Sequence, residues 1–298
     1  MDRLKDEADI ILEAYQTHLR EDGKSDKTIQ SYVTDVKGFL EWLSHKQVQF
    51  TGALSRLYVT SYKEYIQTIH SIHTINKKIN SLNSFCQYLV SCGYQKEQVV
   101  FPAKDKIKIA SGSEQQVEVF TEQEVERLLF YLESSGGTSH RDKLMVLLLL
   151  YTGVRVSELV SIKIADLDLL ALTIKVVGKG GKYRVIPMKM ELSQSIRTYL
   201  DGERRTHKHV QSEYLLLTQR SRKMDKDTVN KVLNRIGQHL NLVMKPHKFR
   251  HTFCTRLLQK GAELTTVAKL AGHANIQTTA TFYINTSHEE KQQAVALL

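Results

Sequence analysis

Apolar residues recur along the first hundred positions at the three-and-four spacing of helices that bury one face. Ile10, Ile11, Ala14, Tyr15 and Leu19 form one stripe, which stops at Gly23, and Ile29, Val33, Val36, Leu40 and Leu43 form a second. A third runs through Ile75, Ile79, Leu82, Phe85 and Leu89 and closes at Gly93, glycine being the usual residue just past a helix end. The second and third stripes align at an offset of 46: "SDKTIQSYVTDVKGFLEWL" (25–43) and "SIHTINKKINSLNSFCQYL" (71–89) both open Ser–x–x–Thr–Ile. Each serine is placed to cap the first amides of its helix. Any two capped amphipathic helices share this much, so the alignment reads as common chemistry rather than as a repeat.

The periodicity then fades. "AKDKIKIASGSEQQVE" (103–118) is lysine, serine, glycine and glutamine and reads as a linker. "FTEQEVERLLFYL" restarts a helix, with Thr121 as cap and Glu124 three residues on as its capping-box partner. "LMVLLLLY" (144–151) is apolar on every side, which marks a buried core helix and is far too short to cross a bilayer. Strict alternation appears next: "LTIKVV" (172–177), a "GKGGK" turn and "YRVIPM" (183–188) predict a β-hairpin. Helical patterns resume after Glu191. The expected architecture is mainly α with a small antiparallel β-sheet, arranged as a helical domain at 1–104, a linker at 105–118 and a second domain at 119–298.

A chain of 298 residues, 41% hydrophobic and 25% charged, suits two globular domains. The start, "MDRLKDEADI", has no apolar signal core. Cys86, Cys92 and Cys254 are odd in number and lack paired metal-ligand spacing, as expected of reduced thiols in a cytoplasmic protein. The net charge of +10 concerns partners, because a fixed positive field draws polyanions. It is unevenly spread: residues 175–260 hold 20 basic and 6 acidic side chains, net +14. That concentration favours nucleic acid over a small anion and gives no reason to expect a membrane partner.

Four stretches in the basic half carry candidate chemistry. "YTGVRVSEL" (151–159) ends the core helix at Gly153 and at once offers Arg155, with Glu158 three residues on to orient the guanidinium. "GKGGKYR" (178–184) holds Lys179 at the hairpin tip. In "KPHKFRHTF" (245–253) Pro246 suits a first helical position. It is followed by His247 and Arg250, three apart and so on one face. "AGHANIQTTATFY" (271–283) supplies His273 after a Gly272 turn, and then Tyr283. Taken singly each has a plain reading: a surface ion pair, a solvated turn, a half-buried aromatic. "GKGG" lacks the spacing of a phosphate-binding loop. His247 and His251 do not make a zinc helix, because Lys248 stands where that motif needs a glutamate.

Taken in this order, the stretches resemble the tyrosine recombinase family, also called phage-type integrases. The family pattern is an arginine after a Thr–Gly–hydrophobic turn, a lysine in a β-hairpin, His–x–x–Arg, then Leu–x–Gly–His ahead of a tyrosine. Here these are Arg155, Lys179, His247 with Arg250, the "LAGH" ending at His273, and Tyr283 ten residues beyond. A spacing of nine would fall on Phe282, which has no nucleophile. The resemblance implies a SAM-like core-binding domain at 1–104 and a DNA breaking-rejoining catalytic domain at 119–298, and no further N-terminal arm-binding domain, as in the simpler Xer and transposon recombinases. It implies that Arg155 and Arg250 clamp a DNA phosphate and that Tyr283 attacks it to leave a 3′-phosphotyrosine. By the same resemblance Lys179 protonates the leaving 5′ oxygen, His247 acts as general acid or base, His273 hydrogen-bonds the phosphate and Glu158 supports from behind. No cofactor or metal is implied.

The implied partner is double-stranded DNA, bound by a homo-oligomer that is a tetramer in the synaptic complex and exchanges strands through a Holliday junction. An accessory or partner recombinase is compatible with this. The C-terminal "HEEKQQAVALL" (288–298), with Ala294, Leu297 and Leu298 on one face, suits packing onto a neighbour or onto its own domain. Type IB topoisomerases use a similar residue set as monomers, a non-catalytic accessory factor would retain only the fold, and a zinc hydrolase would be chelator-sensitive.

Overall fold

The structure is a computed structural model and describes residues 7–108, 117–134, 138–178, 181–273, 275–277 and 279–280. Two compact units divide the chain, Met1–Ser113 and Glu114–Leu298.

In the first unit the three amphipathic stripes become α1 (Glu7–Glu21), α2 (Asp26–His45) and α4 (Ile72–Ser91); α3 (Arg56–Gln67), which no stripe announced, lies between the last two, and the single turn α5 (Pro102–Asp105) follows. Ser25 Oγ accepts from the Thr28 amide at 3.3 Å and Ser71 Oγ from the Thr74 amide at 3.4 Å, so both serine caps form as the sequence indicates. The 46-residue offset continues to the far ends. Both helices are 20 residues long, and each is followed by a cap residue and then a left-handed one, Gln47 (φ 58°) and Gly93 (φ 76°). The correspondence therefore reaches past the shared caps to the full length of both helices. The apolar faces meet around Tyr15, Phe39, Ile79, Leu82 and Phe85, all fully buried, each contributing about 1.5–3 kcal/mol through burial. The Tyr15 ring lies edge-on to Phe85, with centroids 5.0 Å apart, and its hydroxyl donates to Ser84 Oγ at 2.9 Å. Residues 105–107 are fastened to this unit: Asp105 accepts from Arg56 Nη1 at 2.7 Å and from the Phe101 amide at 2.7 Å, and Asn76 exchanges two bonds with the Ile107 backbone.

The second unit begins with α6 (Glu122–Glu133), where the capping box forms in both directions: Glu124 N to Thr121 Oγ1 at 3.1 Å and Thr121 N to Glu124 Oε2 at 2.9 Å. Next comes α7 (His140–Thr152), buried on every side from Leu144 to Leu150. The short α8 (Val156–Leu159) leads into a sheet of β1 (Leu167–Asp168), β2 (Thr173–Val177) and β3 (Tyr183–Pro187), antiparallel in that order. On the face turned to the core, Ile174 stands opposite Ile186 and Val176 opposite Arg184. The hairpin is the one the alternation predicts. β1, with two residues, is too short to alternate and was not legible.

The described part of this unit continues with α9 (Met190–Asp201), α10 (Lys226–Leu240), α11 (Pro246–Gln259) and α12 (Leu264–Ala271). Helices α9 and α11 both pack on α7, which supplies the apolar seat that an all-round hydrophobic helix needs. The start of α6 and the residues before it are tied to α11, because the Phe120 amide donates to Thr252 Oγ1 at 2.9 Å and Arg256 grips Glu122 through Nε and Nη2, both at 2.9 Å. Mainly helical architecture with one small antiparallel sheet is thus the fold class that the periodicities indicate. Among the described residues no helix is long and apolar enough to cross a membrane.

Candidate active site

Helix α7 stops at Gly153, whose φ of 59° is left-handed. The Phe253 ring of α11 occupies the space a Cβ would need there, so two independent constraints select glycine. The chain turns at once and Arg155 becomes the N-cap of α8. Glu158, three residues on, accepts from the Arg155 amide at 2.8 Å and from Arg155 Nη1 at 3.0 Å. The other terminal nitrogen, Arg155 Nη2, donates to the Gly272 carbonyl at 3.0 Å. A local capping interaction therefore sets the direction of the guanidinium, and a distant turn completes it.

Arg250 enters the same place from α11. Its Nη1 donates to the Gly153 carbonyl at 2.7 Å, while Nη2 is buried and has no hydrogen-bond partner among the described residues. The side chain is only 4% exposed. Burial, and then the neighbouring Arg155 charge, push its pKa down to about 10, the response of a desolvated cation without its anion. Cys254, one turn further on, is fully buried and its thiol is pushed up to about 11 by burial, so it is a packed apolar residue rather than a thiolate.

His273 follows the left-handed Gly272 at the end of α12. Its Nδ1 is 2.7 Å from the buried Thr279 hydroxyl. Burial first, then the Arg250, Arg155 and Arg184 charges, hold its pKa down to about 4, so the ring is neutral around pH 7. His247 is more open than Arg250. It shares α11 with Arg250 but is exposed, and its ring lies 6.4 Å from that of His251. Both lie on α11, whose packing against α7 accompanies the burial of Arg250, while His247 stays exposed.

The structure thus brings Arg155, Glu158, Arg250 and His273 together and leaves His247 exposed on α11. Lys179 and Tyr283 lie outside the described residues, as do Ala294, Leu297 and Leu298. The hairpin arm that leads to Lys179 passes close by: a Cβ on Gly178 would stand 3.5 Å from Glu158 Oε1. Among the described residues no group of three histidine, cysteine, aspartate or glutamate side chains is arranged to hold a metal ion.

Two participants were not singled out in the sequence. Arg184 forks onto Glu158 through Nη1 at 3.1 Å and Nη2 at 2.9 Å, and its Nε donates to the Leu270 carbonyl at 2.7 Å. Thr279 supports the His273 ring. For Arg184 a signal existed, since alternation puts it on the same face as buried Ile186, an unusual position for a cation. For Thr279 none did.

Comparisons with known proteins bear on this arrangement. The profile of the phage integrase family matches residues 118–290, and that of the phage integrase N-terminal SAM-like domain matches residues 12–93. A TnP I resolvase of Bacillus thuringiensis is 30% identical over 97% of this chain and 99% of its own. The tyrosine recombinase XerA of Thermococcus kodakarensis is 32% identical over 98% of this chain and 97% of its own. Among solved structures, the XerH site-specific recombinase bound to its palindromic difH substrate in a post-cleavage complex superposes with a TM-score of 0.76, at 21% identity, over 90% of this chain and 79% of that one.

Proposed function

The chain belongs to the phage integrase family, the tyrosine recombinases, and from that premise we propose that it cuts and rejoins DNA at specific sites through a 3′-phosphotyrosine. The observation that carries the reading is the Arg250 guanidinium, buried next to Arg155 and short of one hydrogen-bond acceptor among the described residues. Two neighbouring cations, one of them buried, whose nearby Glu158 carboxylate is already shared between Arg155 and Arg184, call for an anion. A phosphodiester has the right charge and acceptor oxygens, which guanidiniums bind through paired hydrogen bonds.

In the proposed step the Tyr283 oxygen attacks the phosphorus, an O–P bond forms, and the P–O5′ bond breaks. The phenolic proton passes to a base, for which His247 is the candidate, and Lys179 protonates the departing 5′ oxygen. Arg155 and Arg250 hold the non-bridging oxygens as charge builds on them, in surroundings already arranged for it. His273, neutral, contributes a hydrogen bond rather than a charge. If Thr279 donates to Nδ1, the ring proton sits on Nε2, the tautomer that can donate to a phosphate oxygen. The covalent link conserves the energy of the broken bond, so the 5′ hydroxyl of another strand can reverse the step without ATP or metal. The partners of this reading are double-stranded DNA and further copies of the chain, four on two sites, exchanging strands through a Holliday junction, with or without an accessory recombinase.

The test is covalent capture. The protein is incubated with nicked duplexes whose central sequence is randomised, and DNA that stays attached in hot detergent is recovered and sequenced. Enrichment of one sequence class, abolished in Tyr283→Phe while binding persists, is the expected result. An undiminished adduct in that variant refutes the nucleophile, and the absence of any adduct from the unaltered chain refutes the function. Site-independent relaxation of a plasmid without recombinant product would favour a topoisomerase instead.

A further inference from the structure

Arg184 occupies a place where a strand normally buries an apolar side chain. It faces the core of the second unit, opposite Val176, and its side chain is 14% exposed. A cation so placed is tolerated only when it is paired and its donors are used. They are used: Nη1 and Nη2 meet the two Glu158 oxygens and Nε meets the Leu270 carbonyl. With the two bonds from Arg155, Glu158 accepts four hydrogen bonds, two on each oxygen, which fills its acceptor sites. Burial raises its pKa, but the bonds from Arg184 and Arg155 outweigh that and leave it lowered. It is a fixed anion and does not exchange protons near neutral pH.

Two consequences follow. One is geometric. A single planar fork joins α8, through Glu158, to the end of α12, through Leu270. It also lies against Gly272, where a Cβ would stand 2.8 Å from Arg184 Nη1. The Gly272 carbonyl is the second anchor of Arg155, and His273 is the next residue. Both ends of the Arg155 guanidinium are therefore held by groups that Arg184 itself fixes. The other is electrostatic. A lone Glu158 beside Arg155 would cancel its charge, and a second cation on the same carboxylate leaves Arg155 free to attract a phosphate.

We propose that Arg184 is a positioning residue for strand cleavage, locking Glu158 to the Leu270–Gly272 turn so that Arg155 and His273 meet the same phosphate. It acts through these neighbours and does not touch DNA. The inference rests on the functional reading above.

The experiment compares the full-length chain with Arg184→Lys and Arg184→Gln on a duplex recovered by the covalent capture, after circular dichroism and melting have established folding. Affinity for the duplex should stay within about threefold, because binding is spread over many phosphate contacts. The single-turnover rate of adduct formation should fall about a hundredfold in both variants, the scale of a small misplacement at a reacting centre. Lysine should not rescue, since an ammonium keeps the charge but cannot span both Glu158 oxygens and the Leu270 carbonyl. A pH profile adds a readout that a merely structural role would not move. His273 is faced by Arg250 and His251 from α11, Arg155 from the N-cap of α8 and Arg184 from β3. Losing one of these cations in Arg184→Gln should shift the acid limb of the rate upward, whereas Arg184→Lys should leave it in place.

A lysine variant that cleaves at the unaltered rate overturns the proposal, because charge alone would then suffice. A glutamine variant with an unchanged rate and acid limb overturns it as well. Should Arg184→Gln not fold, Arg184→Lys decides the matter alone. If the unaltered chain forms no adduct, the functional reading fails and this inference falls with it.

Discussion

Arg250 Nη1 donates to the Gly153 carbonyl at 2.7 Å, joining two residues 97 positions apart in the chain. The carbonyl belongs to the residue that ends α7 and launches Arg155, so the bond aligns the two guanidiniums that the proposed reaction needs. Gly153→Ala should disturb it from two directions. The left-handed φ costs a residue with a Cβ about 1–2 kcal/mol, and collision with the Phe253 ring adds about 1–3 kcal/mol of overpacking. A loss of roughly 2–5 kcal/mol, read by denaturant unfolding of the full chain, is expected, and adduct formation should fall by more than the folded fraction does. A variant as stable as the unaltered chain would show that the Phe253 ring can swing away.

Glu158 makes a second prediction, about acid. Its folded pKa lies below the 4.5 of a free glutamate, through the bonds from Arg184 and Arg155 that overcome burial. The stability it contributes is complete above pH 4.5 and is lost as pH falls through the lowered folded value. Glu158→Gln cannot lose what it lacks, so its stability should decline less steeply than that of the unaltered chain below pH 4.5. At neutral pH the same variant should be the weaker of the two by about 3–5 kcal/mol, since two guanidiniums lose their buried counter-charge. Parallel acid melting curves would assign the acid sensitivity to other groups.

How far all this could be read in advance depended on distance along the chain. The serine caps at 25 and 71, the Thr121–Glu124 box, Pro246 at the start of α11 and the hairpin are local devices, and each formed where its spacing indicates. The Arg155–Glu158 contact was equally legible, being three residues long. Convergence was not: nothing in periodicity says that Gly153 meets Arg250 or that Gly272 meets Arg155, and resemblance to a family supplied that step. The one clue passed over was local. Arg184 breaks the apolar alternation of β3, and a charge on a core face needs a partner, which turned out to be the Glu158 already assigned to Arg155. Nor did spacing say that Arg250 would be buried while His247, three residues before it, stays exposed. Lys179 and Tyr283 lie outside the described residues.

His273 gives a pH effect of its own. An unfolded histidine titrates near 6.5, but burial, followed by the Arg250, Arg155 and Arg184 charges, holds this one at about 4 in the folded chain. Between those two values the unfolded chain binds the extra proton, so folding stability must fall as pH drops from 6.5 toward 4. His273→Asn removes that proton and should flatten the decline. Part should persist, because burial also lowers the His251 pKa on the adjacent helix. Melting temperatures of the two chains across this window would check it, and identical slopes would mean that His273 is solvated in solution.

Salt separates the phosphate clamp from the rest of the basic surface. Residues 175–260 carry a net +14, and a protein that neutralises about 6–10 phosphates loses affinity with a log–log salt slope of roughly −5 to −9. Arg250 accounts for one of those contacts, so Arg250→Gln should make the slope shallower by only about 1. Its effect on chemistry should be far larger. Removing a buried donor from the position where transition-state charge accumulates slows comparable reactions by about two to three orders of magnitude, and that is the fall expected in the rate of adduct formation. Titration of a captured duplex at several salt concentrations gives the first quantity and single-turnover cleavage the second. A variant that lost affinity and cleavage in equal measure would make Arg250 an anchor for the duplex rather than a clamp on the reacting phosphate.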